Sequence, residues 1–172
     1  MPAFWKQSSF WTSTAKTLVI ICLAAMAAAF YQQRNMVSGM APEINVATIA
    51  GERFNLSEQL SKGPVLVYFW GSWCPICNVV SPAVDTIADD YQVVTMALSS
   101  GDNAEVNQHL ARQGYDFLTI NDEHGLYAKQ WGVTVTPSIF IINQSGEVNQ
   151  VTSGITSSWG MRVRLWLAGL SG

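Results

Sequence analysis

Cys74 and Cys77 stand three residues apart in WGSWCPIC, directly after the apolar run VLVYF. Thiols at this spacing reach one another across one helical turn, so they can exchange electrons, supply half of a metal site or close a small structural loop. A strand that passes at once into a helix places Cys74 at the helix N-terminus, where unpaired N–H groups and the helix dipole favour negative charge. Pro75 suits the first helical turn, where a missing N–H costs nothing. A free thiol titrates near ~8.5 and falls to about 3.5 to 7 in such settings, so Cys74 reads as the nucleophile and the less accessible Cys77 as the resolving thiol. Such a pair works through a mixed disulfide that the second thiol releases.

The other readings are weaker. A structural disulfide across so small a loop removes little chain entropy, and it leaves Trp73 a bulky residue without purpose. The indole reads instead as a shield beside the thiol that touches substrate. A closed zinc site needs four ligands, and the remaining donors, His109 and His124, sit singly in expected helix or loop as exposed polar residues. Two thiolates could hold Cu(I), which makes a copper-binding or relay protein without disulfide turnover the alternative from another class. The six methionines are scattered and give it little support. No metal site is assigned.

The chain has 172 residues, 49% of them hydrophobic, enough for one compact domain and a segment to spare. All twelve acidic residues lie at or beyond Glu43, where they face six basic ones, for a balance of −6. A domain so acidic, with no basic stripe, is unsuited to gripping phosphate backbones, and nucleic acid is excluded as a partner.

Residues 17–31, TLVIICLAAMAAAFY, carry no charge and are flanked by Lys16 and Arg34. They fall short of the roughly 20 apolar residues of a spanning helix, but Ser13 to Ala15 extend them and Lys16 can snorkel. The expectation is a transmembrane signal-anchor over 17–31, with 1–16 cytoplasmic, 32–42 a linker and 43–172 the exported domain. The basic bias before the span puts the C-terminal domain of a single-pass protein on the far side of the membrane; that this is a bacterial inner membrane, with the domain in the periplasm, is what the resemblance of residues 43–170 to a known family implies. The competing reading is a cleaved signal peptide ending at Ala27-Ala28-Ala29. Cys22 follows Ile21, where a lipidation signal needs a small residue, and reads as an ordinary apolar occupant. Outside the cytoplasm a dithiol meets an oxidising compartment.

Beyond Glu43 the pattern predicts a strand, a turn at Gly51, a second short strand and a short helix capped at Ser57. VLVYFW, apolar at every position, reads as a central strand buried on both faces. A helix is expected from Pro75 to about Tyr91, then a buried strand VVTMALSS, a helix NAEVNQHLARQ closed by Gly114, a strand FLTIND and a further helix EHGLYAKQWG. Two strands joined at Ser145-Gly146 and a helix over 158–170 complete a central mixed sheet with helices on both faces.

GERFNLSEQLSKGPVLVYFWGSWCPIC and WGVTVTPSIFIINQSGEV, with a βα unit inserted between them, resemble the thioredoxin fold. They are most similar to the exported, membrane-anchored thiol:disulfide oxidoreductases of the TlpA type, in particular the suppressor-of-copper-sensitivity proteins; reductants of cytochrome c maturation are also relatives. The resemblance covers about 43–170. It implies that Cys74 and Cys77 are the redox pair, that Pro137 is a cis-proline packed against them, and that Thr136 offers backbone groups to a substrate chain. From residues alone, Pro137 is equally a plain strand entry. The substrate groove is then framed by Trp73, Pro75, Ile76, Thr136 and Pro137. Protein disulfides are the substrates, a membrane dithiol the electron donor, and no cofactor beyond the Cys74–Cys77 disulfide is implied. Three departures stand out: Tyr68 where many thioredoxins bury an acid, Gly71 where many relatives have Ala, and Ile76 where an acid or second Pro is common. Asp122, Glu123 and Glu147 are candidate bases by type only, expected as solvated carboxylates.

Overall fold

A computed structural model describes residues 14–24, 27 and 34–171. Residues 14–24 are helical. Among the described residues no helix is long and apolar enough to cross a membrane; positions 25–26 and 28–31 of the expected span lie outside them, as does most of the expected cytoplasmic segment.

A separate compact unit comprises residues 35–172. Its strands are β1 (Gly39–Met40), β2 (Asn45–Ala47), β3 (Arg53–Asn55), β4 (Val65–Trp70), β5 (Gln92–Leu98), β6 (Thr119–Asp122), β7 (Ser138–Ile142) and β8 (Glu147–Ser153). Its helices are α1 (Leu56–Leu60), α2 (Cys77–Ala88), α3 (Asn103–Gln113), α4 (Leu126–Gln130) and α5 (Ser158–Leu170). Six strands form one sheet in the order β1-β8-β7-β4-β5-β6, and β2 and β3 pair separately. β4, β5 and β6 are mutually parallel, whereas β7 runs antiparallel to β4 and β8 to β7.

All six residues of β4 are buried because the sheet is covered on both sides. Leu66, Tyr68 and Trp70 point into one core with Val80, Val84 and Ile87 of α2, Val106 and Leu110 of α3, and Met161 and Leu165 of α5. Val65, Val67 and Phe69 alternate into the other, with Leu56 and Leu60 of α1 and Ala128 of α4. Since side chains alternate along a strand, one unbroken apolar run serves two cores. α2 and α5 are clasped at the surface by Arg162, which reaches Asp90 and the Thr86 carbonyl.

Three expectations are corrected. From Asn35 the expected linker belongs to the domain: Met36 is buried, the Val37 N–H donates to the Trp131 carbonyl, and β1 pairs with β8. Asn55, not Ser57, caps α1, its side-chain oxygen accepting the Glu58 N–H at 3.1 Å. α2 begins at Cys77 rather than Pro75, because the Cys74 and Cys77 N–H groups make i→i−3 turns onto the Gly71 and Cys74 carbonyls instead of helical i→i−4 bonds.

Candidate active site

The chain leaves β4 at Trp70 and enters α2 at Cys77, at the C-terminal end of the parallel strands, where loops of open α/β sheets hold their ligands. The Cys74 N–H bonds the Gly71 carbonyl at 3.0 Å and the Cys77 N–H the Cys74 carbonyl at 3.1 Å, folding the loop tightly. The two cysteines are joined as a disulfide with Cα atoms 5.3 Å apart. Both are buried, yet Trp73 and Ile76 beside them are 57% and 46% exposed. Pro75 is exposed at the same rim.

The Cys77 N–H also points at the Cys74 sulfur, at 3.2 Å. The N-cap residue of α2, Ile76, supplies no side-chain bond, and the first turn holds no acid. Helix N-terminal N–H groups need an acceptor, and here sulfur is one. In the reduced form that donor and the helix dipole favour a thiolate on Cys74.

On the opposite wall the Thr136–Pro137 peptide bond is cis, and the Thr136 carbonyl oxygen lies 3.7 Å from the Cys74 sulfur. Pro137 is buried and Thr136 half-buried. Ser138 holds this turn by donating to the Val135 carbonyl at 2.8 Å. Between the walls runs a groove of about 280 Å³, lined by Trp73, Leu98, Val133, Thr134, Val135 and Thr136. Among the described residues, no charged side chain lines it. Thr136, 62 residues along the chain from Cys74, thus meets it in space, with Pro137 next in the chain.

The core cluster that holds both cysteines includes Tyr68. Tyr68 is fully buried and its hydroxyl bonds Ser81 of α2 at 3.0 Å. Burial pushes its pKa far up, beyond what the Ser81 bond offsets, with a further rise from Tyr115, so it stays neutral. Asp122 is not the solvated carboxylate expected. It is buried, and both its oxygens accept N–H groups at the start of α4, Tyr127 at 3.0 Å and Ala128 at 2.8 Å. Glu123 and Glu147 are exposed. Among the described residues no three His, Cys, Asp or Glu side chains come together as a metal-binding group.

His109, expected at the surface, is buried against Trp70, with ring centroids 5.4 Å apart. Burial, then the Arg112 charge, lowers its pKa. The signal was present: His109 falls between Val106 and Leu110 on the inward stripe of α3. His124 is exposed as expected. Sequence reasoning also passed over the C-terminal end of β5, whose Leu98 carbonyl accepts the Trp73 indole N–H at 3.1 Å. A backbone acceptor leaves no residue-type signal.

The model of the AhpC/TSA family matches residues 37–151. A "Thioredoxin-like protein" of Haemophilus influenzae is 40% identical over 139 residues, spanning 80% of this chain and 83% of that one. "Thiol-disulfide oxidoreductase ResA" of Geobacillus thermodenitrificans is 26% identical over 147 residues, covering 80% and 84%. Among solved structures, a thiol:disulfide interchange protein of the thioredoxin family from Chlorobium tepidum superposes with a TM-score of 0.66 at 22% identity, over 77% of this chain and 97% of that one, a likeness of fold. With its thioredoxin-like sheet and a cysteine pair at the head of α2, the chain belongs to the AhpC/TSA family.

Proposed function

We propose that the protein is an exported, membrane-anchored thiol:disulfide oxidoreductase in which Cys74 attacks, Cys77 resolves, and Trp73, Pro75, Ile76, Thr136 and Pro137 frame the substrate. Thioredoxin-type thiol:disulfide exchange is the enzymatic class of the named relatives; the division of roles, the address and the partners are what is proposed. The observation that carries the division is the Cys77 N–H donating to the Cys74 sulfur at an uncapped helix terminus.

In the reducing direction the Cys74 thiolate forms a bond to one sulfur of a substrate disulfide, and the other substrate sulfur departs as a thiolate. Cys77 gives up its proton, forms the Cys74–Cys77 bond and expels the second substrate thiolate. The substrate disulfide gains two electrons and two protons, and the dithiol is oxidised by two electrons. With Tyr68 neutral, the Cys77 proton passes to water or to the departing thiolate. The Thr136 backbone beside Cys74 pairs with a polypeptide strand while the mixed disulfide lasts. A membrane dithiol recharges the pair, no organic cofactor or metal takes part, and the uncharged 17–31 segment provides the anchor. TlpA-type service in thiol reduction, under copper stress or in cytochrome c maturation, rests on the combination of motifs quoted above.

Two measurements test this. Cys77→Ala is expected to accumulate mixed disulfides through Cys74 in cells, and a variant that traps none contradicts the roles. Equilibration of the pair against glutathione or dithiothreitol buffers fixes the direction, since a potential near thioredoxin's, about −270 mV, marks a reductant and one near about −120 mV an oxidant.

A further inference from the structure

α5 is a surface helix, yet it is apolar on two opposite sides. Met161, Leu165 and Ala168 are buried in the core. With 3.6 residues to the turn, Trp159, Val163, Trp166 and Leu170 fall on the side facing away from them. Trp159 is 74% exposed, Leu170 67% and Trp166 59%. A surface helix ordinarily turns polar and charged residues outward, and one that is apolar all round is ordinarily covered. Ile155, in the turn that leads into the helix, is exposed as well.

Charge and chain length point to what covers this face. All twelve acidic residues lie between Glu43 and Glu147, and residues 148–172 carry none. Asp90, just past the end of α2, meets Arg162 of α5. Only residues 32–34 separate the uncharged 17–31 segment from Asn35, the first residue of the compact unit, a reach of about 14 Å when fully extended. A domain of this length has a radius of gyration of about 14 Å, so a segment 17–31 held in a bilayer leaves the domain no room to stand clear of it. The chain also enters the domain beside the origin of α5. The Ser153 hydroxyl, at the end of β8, donates to the Met36 sulfur at 3.9 Å, and Ile155 and Trp159 follow from there.

We propose that the outer face of α5, with Trp159, Trp166 and Leu170, docks on the headgroup region of the bilayer that carries the anchor. The inference rests on the reading of residues 17–31 as that anchor. Tryptophan suits this boundary, since its ring is apolar and its N–H stays within reach of water and headgroups. An acid-free face meets no repulsion from anionic lipid, whereas the domain from Glu43 onward carries −6 as a whole. One helix face is small for a stable protein interface, which takes about 20–30 residues a side. Beside a bilayer it needs little affinity of its own, because the tether keeps it at high local concentration. The turn before α5 also reaches the site, with the Gly154 N–H donating to the Pro137 carbonyl at 3.0 Å, so docking holds the proline wall of the site near the membrane surface.

The test uses the full-length protein, labelled with fluorotryptophan and reconstituted in vesicles of phosphatidylcholine and phosphatidylglycerol, with and without a spin label on the lipid headgroup. The Trp159 and Trp166 fluorine resonances are identified by their loss in Trp159→Phe and Trp166→Phe. With the spin label they are expected to broaden several-fold more than the resonance of Trp70, which is buried in the core. Leu170→Glu changes an exposed position that the core does not use, and it is expected to remove most of that broadening by setting a charge against lipid. Resonances that broaden no more than that of Trp70 overturn the inference, because no lipid then meets the face. Broadening that Leu170→Glu leaves unchanged overturns it too, since it reports tethered proximity without docking. Broadening that needs no spin label and grows with the protein-to-lipid ratio marks a second copy of the chain as the partner and overturns it likewise. A chain that fails to float with the vesicles contradicts the anchor reading itself, and the docking falls with it.

Discussion

α2 and α3 leave neighbouring parallel strands at the same end of the sheet, and they begin in opposite ways. α3 starts with a full capping box: Asp102 accepts the Glu105 N–H and Glu105 accepts the Asp102 N–H, each at 2.9 Å. α2 starts with Ile76, with no side-chain cap, and one of its N–H groups is spent on the sulfur of Cys74. The remaining described helices of the domain follow α3, with Asn55 and Ser157 capping α1 and α5 and the Asp122 carboxylate serving α4. A cap is worth about 1 kcal/mol to a helix. α2 forgoes it and keeps its positive end for a thiolate. The helix that lacks a side-chain oxygen at its head is the one whose first N–H points at the Cys74 sulfur.

The contrast can be broken most severely at the sulfur. Cys74→Ser replaces the sulfur with a hydroxyl that can accept the Cys77 N–H but cannot form a disulfide, and disulfide turnover is expected to fall to background in an insulin-reduction or refolding assay. Converting the head of α2 towards that of α3 is the next largest change. Ile76→Asp sets a carboxylate near the Cys74 sulfur, which is expected to raise the thiol pKa by about one unit and to slow alkylation of Cys74 at neutral pH several-fold. Titration of the thiolate absorbance checks it, and an unchanged pKa would show that the helix terminus does not govern the sulfur.

Asp102→Ala sharpens the comparison from the other side. It is expected to cost about 1 kcal/mol in denaturant unfolding with no change in exchange rate, since the α3 cap is structural. The smallest effect concerns His109. Its lowered pKa means the folded protein binds fewer protons than the unfolded chain between that value and about 6.5. Stability is therefore full above the unfolded value and falls as pH drops through that window. His109→Gln is expected to flatten this acid-side loss, read from unfolding midpoints across the pH range.

The site was legible in the sequence where function uses residue type and spacing. VLVYFW could only be a strand covered on both faces, and the cysteines that follow it had to sit at a strand-to-helix turn. Thr136 and Pro137 were different, because their nearness to Cys74 depends on how β7 pairs with β4; only resemblance to a known family supplied it. Contacts made through backbone were silent. Nothing in the letters of Leu98 marks its carbonyl as the acceptor for Trp73, and nothing in QQRNMVSGMAP shows that Met36 and β1 pack onto the domain. Asp122 and His109 misled because charge was read as solvent exposure, whereas a helix terminus and an aromatic ring provided buried partners.

The most direct measurement is the pH dependence of alkylation of the reduced protein, with the modified residue identified by mass spectrometry. Cys74 is expected to be labelled first, with an apparent pKa below the ~8.5 of a free thiol, while Cys77 stays protected until higher pH. Labelling of Cys77 first, or a Cys74 that titrates at or above that value, would contradict the assignment of the α2 terminus as the source of the thiolate.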